Sequence, residues 1–314
     1  MAIGTGPMEP TVAALRTSPR RRRRDRGMRW VFFAAAMATF AVTVTIVLTL
    51  AFDAWDFFSK VDKSLLWGQL GWFPRRGLFD IPTLIVGTLI VTGIAMCVAI
   101  PLGLGAAVYL SEYASPRVRR TLKPVLEVLA GVPSVVLGYF AIAFINPNLV
   151  TRFFDSANKA FTLAAAGLAV GVLSIPIIAS VAEDALRAVP MSLREASYGL
   201  GARPATTAFR VVLPAAISGI IAALILGISR AIGETMVVAI AAGAVGGGLF
   251  RFDPLQPGQT MTAAMAALGF GSDQVAGNDL AFKSLYFVGA LLFLMTLLLN
   301  FIGDRLVARV REEY

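Results

Sequence analysis

Arg230 and Glu234 stand four residues apart in a stretch that is otherwise apolar from Val211 to about Phe250. An arginine at the centre of a membrane span costs about 2.5–3.5 kcal/mol to insert, so it must face a cavity, a partner or another helix. Residues four apart share a helix face and can pair, although Arg before Glu is the weaker order. Two readings stay open. In one, the pair locks two helices together. In the other, the guanidinium meets a transported anion, because its planar fork matches two oxyanion oxygens at once. Glu234 then holds the arginine and keeps the empty site from becoming a trap, which makes it a gate or selectivity element. Gly233 lets a backbone or substrate approach closely. Ser134, in an earlier apolar stretch, offers a hydroxyl to the same anion.

Much other chemistry is excluded. The chain has no histidine, so it lacks Ser-His-Asp and Cys-His triads and the His-Glu-x-x-His zinc site. Its one cysteine, Cys97, cannot form an intrachain disulfide and reads as a small buried side chain. A phosphate-binding loop needs Gly-Lys-Ser/Thr, and none of Lys60, Lys63, Lys123, Lys159 and Lys283 follows a glycine. The run Gly246-Gly247-Gly248 lacks the strand–helix context of such a loop and reads as a flexible break.

The elements that position these residues are membrane helices. Of the 314 residues, 57% are hydrophobic and 15% charged, against about 45–50% and about 25% in a soluble domain. A spanning helix needs about 20 apolar residues. Six stretches qualify: Phe32–Phe52, Ile81–Ser111 with Pro101 as a kink, Val128–Thr151, Ala160–Ala182, the interrupted run from Val211, and Ser284–Gly303. Continuous runs of this kind exclude barrel strands. The fold class is therefore all-α and polytopic. A basic tail, residues 1–28, precedes the first span and its outer loop (29–79). A core follows over 80–310.

The net charge of +9 needs no nucleic acid to explain it. Basic residues gather in the tail, at Arg117–Lys123, over Arg187–Arg210 and after Arg305, and are sparser in the alternate connections. The positive-inside rule then places both termini in the cytoplasm. Residues 53–80 and 251–283 come out on the far side, with Trp55, Trp67 and Trp72 as interfacial aromatics. The loop 183–210 is cytoplasmic. Within it Pro190 precedes Ser192-Leu193-Arg194-Glu195, a capping-box pattern, and Gly201 suits the left-handed position that ends a helix. The expected short helix has Leu193, Ala196 and Leu200 as its apolar side. It reads either as an interfacial helix or as a docking element for a cytoplasmic partner.

This loop resembles the signature of bacterial ABC importer permeases: Glu195-Ala196-Ser197, then Gly201, then Val211-Val212-Leu213-Pro214 at the family's spacing. It departs from the family by Ser197 for Ala and Val211 for Ile. The resemblance implies the type I, MetI-like permease fold, in which residues Glu195 to Gly201 with Leu213 and Pro214 couple the spans to an ATPase subunit. Arg230-Ala231-Ile232-Gly233-Glu234-Thr235, Tyr109–Ala114 and Leu129–Tyr139 further resemble phosphate-specific permeases, and Met236–Gly243 the PstC branch more than PstA. That implies a phosphate pathway through Arg230, Glu234, Thr235 and Ser134. It also implies a bacterial inner-membrane location and a PstA-like permease, a PstB-like ATPase dimer and a secreted PstS-like phosphate-binding protein as partners. The chain itself would carry no cofactor, with ATP and Mg bound by the ATPase. Permeases for molybdate or sulfate share the loop signature. A membrane enzyme acting on lipid phosphate and a secondary transporter are further alternatives, the first lacking an evident catalytic set.

Overall fold

The computed structural model describes residues 19–68, 70–154, 160–243, 247–270 and 279–310. The expected tail before Pro19 therefore lies outside the described residues. Helix α1 spans Pro19–Lys60. It opens on a proline, which is tolerated in a first turn, and runs without a break past residue 28. Thr39, Thr43, Thr45 and Thr49 each donate a hydroxyl hydrogen to the carbonyl four residues back, at 3.1, 2.9, 2.8 and 3.0 Å. That satisfies the hydroxyls where no water is at hand.

The chain divides into two units, the second beginning at Asp53. In this second unit Phe57 is fully buried against the rings of Phe79 and Phe287, at 5.1 and 5.2 Å. Asp56 pairs with Lys60 and Lys283. A two-stranded hairpin follows, β1 (Trp72–Phe73) and β2 (Leu78–Phe79), with Trp72 opposite Phe79. Trp72 is buried, not interfacial as the sequence suggested, because the hairpin folds its ring onto Phe79.

Helix α2 (Ile81–Val108) ends in a π turn, Tyr109–Tyr113. Cys97 lies on its outer side and is exposed, contrary to expectation. Helix α3 (Pro116–Ala130) is amphipathic and has no buried residue. The third span is thereby corrected. Val128–Ala130 belong to α3, the chain breaks at Gly131–Pro133, and the spanning helix α4 runs Ser134–Phe153. Helix α5 (Leu163–Ala188) crosses α2 closely. A Cβ added at Gly167 would stand 2.8 Å from Cβ of Ile94, and one at Gly171 would stand 2.9 Å from the Ala95 carbonyl oxygen. This Gly-x-x-x-Gly spacing lets two backbones meet in lipid, where hydrophobic burial gives no drive between helices. The contact organises the main core, with Val91, Ala95, Ala166, Val170 and Leu173 buried.

Helix α6 (Met191–Gly199) is the short helix expected in the loop 183–210. Helices α7 (Pro204–Ala215) and α8 (Ile217–Ile232) form a pair bent by 72°. Pro214, which cannot donate to the ladder, precedes the bend. Counting that pair as one, six helical segments among the described residues are long and apolar enough to span a membrane. The run after Arg230 does not continue as the same helix. It restarts as α9 (Met236–Ala241). The expected outer connection 251–283 holds a further helix, α10 (Met261–Phe270), with Met261, Ala264 and Leu268 buried. Ten mostly apolar residues are too few to span a bilayer but suit a buried or re-entrant segment. Helix α11 (Asp279–Val310) completes the second unit.

Candidate functional site

Two places gather the residues singled out above. The first is the break between α8 and α9. Arg230 lies in the last turn of α8, and Gly233 caps that helix. Glu234 is buried, and its Oε1 accepts the Val237 amide at 3.3 Å. Each charge thus sits at the helix end whose dipole suits it, the cation at a C-terminus and the anion at an N-terminus. The expected salt bridge is not made. Among the described residues Arg230 has no ion-pair partner, and it is exposed. The Thr262 hydroxyl of α10 donates to the Glu234 carbonyl at 2.7 Å, which pins the break to the short helix. Thr235 donates to the Gly233 carbonyl at 3.2 Å.

A cleft of about 390 Å³ opens beside this break, lined by Gly233, Thr235, Thr262, Met265, Ala266 and Gly269 among others. Of Arg230, Glu234, Thr235 and Ser134, the residues expected along a pathway, Thr235 alone lines it. Ser134 starts α4 and is half-buried. It is one turn before Gly138, where α4 packs on α9. A Cβ at Gly138 would stand 3.0 Å from Cβ of Ile240 and 3.2 Å from Cα of Val237. The structure therefore brings the helix bearing Ser134 against the helix capped by Glu234. No hydrogen bond joins these side chains among the described residues. Thr262 was missed, because one threonine in an apolar decapeptide gives no signal in sequence.

The second place is the loop 183–210. Gly201 has φ +79°, the left-handed conformation expected of it. The capping box is not formed. Pro190 occupies the N-cap with no side-chain bond, so Ser192 is already inside the helix and Glu195 is exposed. Ser197 is buried and shares a 2.8 Å hydrogen bond with the Thr207 hydroxyl, tying α6 to α7 in a way alanine could not. Leu193 is half-buried against a core of Leu186, Val189, Val212 and Ala216. Ala196 is exposed, and beside it stand Met191, Tyr198 and Leu200, exposed at 64%, 46% and 90%. Met191 and Tyr198 were not foreseen, since the expected apolar side rested on aliphatic spacing alone. Leu213 is half-buried and Pro214 exposed at the bend.

Among the described residues, six segments able to span a membrane, an exposed loop helix and a broken span whose arginine has no ion-pair partner fit the membrane-spanning subunit of an ABC importer. The model of the family described as "Binding-protein-dependent transport system inner membrane component" matches residues 99–312, and the chain belongs to that family. It is 30% identical over 295 residues to the phosphate transport system permease protein PstC of Pasteurella multocida (strain Pm70), covering 88% of this chain and 90% of that one. It is 34% identical over 243 residues to the phosphate transport system permease protein PstA 1 of Mycobacterium tuberculosis (strain CDC 1551 / Oshkosh), covering 76% and 75%. The inward-facing MetNI methionine ABC transporter shares the fold, with a TM-score of 0.53 at 21% identity over 73% of this chain and 94% of that one. The chain is thus a multi-pass inner-membrane component, and ATP hydrolysis belongs to a partner subunit.

Proposed function

We propose that this chain is the permease subunit of an ATP-driven importer of inorganic phosphate. It forms part of the translocation path and carries no cofactor of its own, with ATP and Mg bound by the partner ATPase. The observation that carries the reading is Arg230, an exposed guanidinium with no ion-pair partner among the described residues at the broken end of a span, in a chain similar along most of its length to a phosphate transport permease. A guanidinium on an exposed helix end can offer two parallel donors to phosphate oxygens. Glu234 is held by its helix and so leaves that fork open. Thr235 and Ser134 supply hydroxyls to the path.

The exposed face of α6 would dock in a cleft of a PstB-like ATPase dimer, and its tether at Ser197 passes the motion on to α7. Similarity to both PstC and PstA proteins supports a heterodimeric membrane core with a PstA-like permease. A PstS-like binding protein would deliver phosphate to the outer loops, with both termini of this chain in the cytoplasm.

Competition tests the substrate. Uptake by cells carrying the importer should fall when arsenate is added and not when molybdate or sulfate is. Competition by molybdate or sulfate alone would replace phosphate with that ion.

A further inference from the structure

The π turn that closes α2 contains Glu112, which lies in the Tyr109–Ala114 motif and has had no role so far. Its partner is Arg194 of α6, 82 positions later. Arg194 Nη2 donates to Glu112 Oε1 at 3.0 Å, and Nε lies 3.5 Å from Oε2. The same guanidinium donates to the carbonyls of Val189 and Leu186 at 2.6 and 2.9 Å. Ser111 donates its hydroxyl to Glu112 Oε1 at 2.7 Å. Both side chains are close to buried, at 11% and 8% exposure.

A buried pair of this kind is seldom a net gain over apolar residues of the same size. What it supplies is geometry: a planar fork with every arm engaged cannot pivot. The π turn is held from a second side too. Arg119 of α3 donates through Nε and Nη2 to the Leu110 carbonyl at 2.9 and 2.6 Å, and through Nη2 to that of Ser111 at 3.2 Å. Its Nε lies 3.5 Å from Oε1 of Glu183, a fully buried residue of α5. Lys123 of α3 reaches Oε2 of the same carboxylate at 2.9 Å. Contact with Glu183 holds the Lys123 ammonium above its usual value. One five-residue turn thus joins the docking helix to α2, α3 and α5, and α3 leads through Gly131–Pro133 straight to Ser134. π turns recur at functional positions in helices.

We infer that Glu112 and Arg194 are positioning residues for energy coupling, a rigid tie that makes the docking helix and the cytoplasmic end of α2 move as one body. This rests on the importer reading above. Motion imposed on α6 by the ATPase then reaches the start of α4 through α3, as well as α7 through Ser197.

The test uses the whole importer in proteoliposomes, with phosphate accumulated and ATP hydrolysed both measured. Glu112→Gln and Arg194→Gln should each assemble and hydrolyse ATP, while phosphate moved per ATP falls about tenfold, within the usual range of coupling between sites. The double variant should be no worse than either single one, since both break the same tie. An unchanged ratio, or losses that multiply in the double variant, overturns the inference. If the Gln variants do not assemble, Arg194→Lys decides. It keeps the charge but not the fork, so an impaired ratio supports the tie and a normal one overturns it. If that variant also fails to assemble, the pair is a folding element and the inference falls. A wild-type complex that hydrolyses ATP when binding protein is added but accumulates no phosphate overturns the substrate reading alone. The tie is then read from binding-protein stimulation of hydrolysis in the same variants.

Discussion

The carboxylate of Glu234 accepts the amide of Val237 at 3.3 Å and leaves Arg230, one turn earlier, without a counter-ion among the described residues. Two charges that look like a pair in sequence serve opposite helix ends. The consequence is an open cation at a break between helices, and the first prediction follows from it. Arg230→Gln should abolish phosphate uptake while the complex still co-purifies with its partners, because the side chain is exposed and makes no hydrogen bond or ion pair among the described residues. Loss of the assembled complex would make the residue structural.

Glu234→Gln keeps an oxygen that can accept the Val237 amide, whereas Glu234→Ala removes the cap. The Ala variant should lose about 1 kcal/mol of stability, within the range for removing an N-cap, and the Gln variant much less. Thermal unfolding of the purified complex reads the difference. Equal losses would mean that the burial of the charge, not the cap, matters.

Leu200 is 90% exposed on the permease alone. Leu200→Glu should leave the permease folded and inserted but weaken capture of the ATPase about tenfold or more, as expected for an apolar anchor at a contact centre. Normal co-purification with the ATPase would remove α6 from the docking surface.

Gly201 has nothing within 4 Å of the position a Cβ would take, so its φ of +79° is the whole constraint. Gly201→Val adds about 1–2 kcal/mol of backbone strain. The variant should hydrolyse ATP with little phosphate uptake, measured side by side. Intact coupling would show that the turn after α6 tolerates distortion.

What sequence discloses here is composition and local punctuation. Long apolar runs gave six spans, and Gly201 announced its own conformation. Hydropathy sees no direction, so the 72° bend after Pro214 and the restart at Met236 fall within what reads in sequence as one span interrupted at Arg230 and Glu234. Helix α10 is half the length of a span and was absorbed into a loop. Pro190 displaced Ser192 from the cap, a competition between two neighbouring signals that the capping pattern alone does not resolve. Arg194 and Glu112 are remote in sequence, and neither residue carries any local trace of the other. Ser197 passed for a small substitution until its hydroxyl was seen against Thr207.

The central claim is that this chain carries phosphate along a path that needs Arg230. Radiolabelled phosphate uptake at micromolar concentration, in native cells with and without the chain, tests it most directly. The account predicts a loss that the wild-type gene restores and Arg230→Gln, assembled normally, does not. Restoration by Arg230→Gln to the wild-type rate would contradict it.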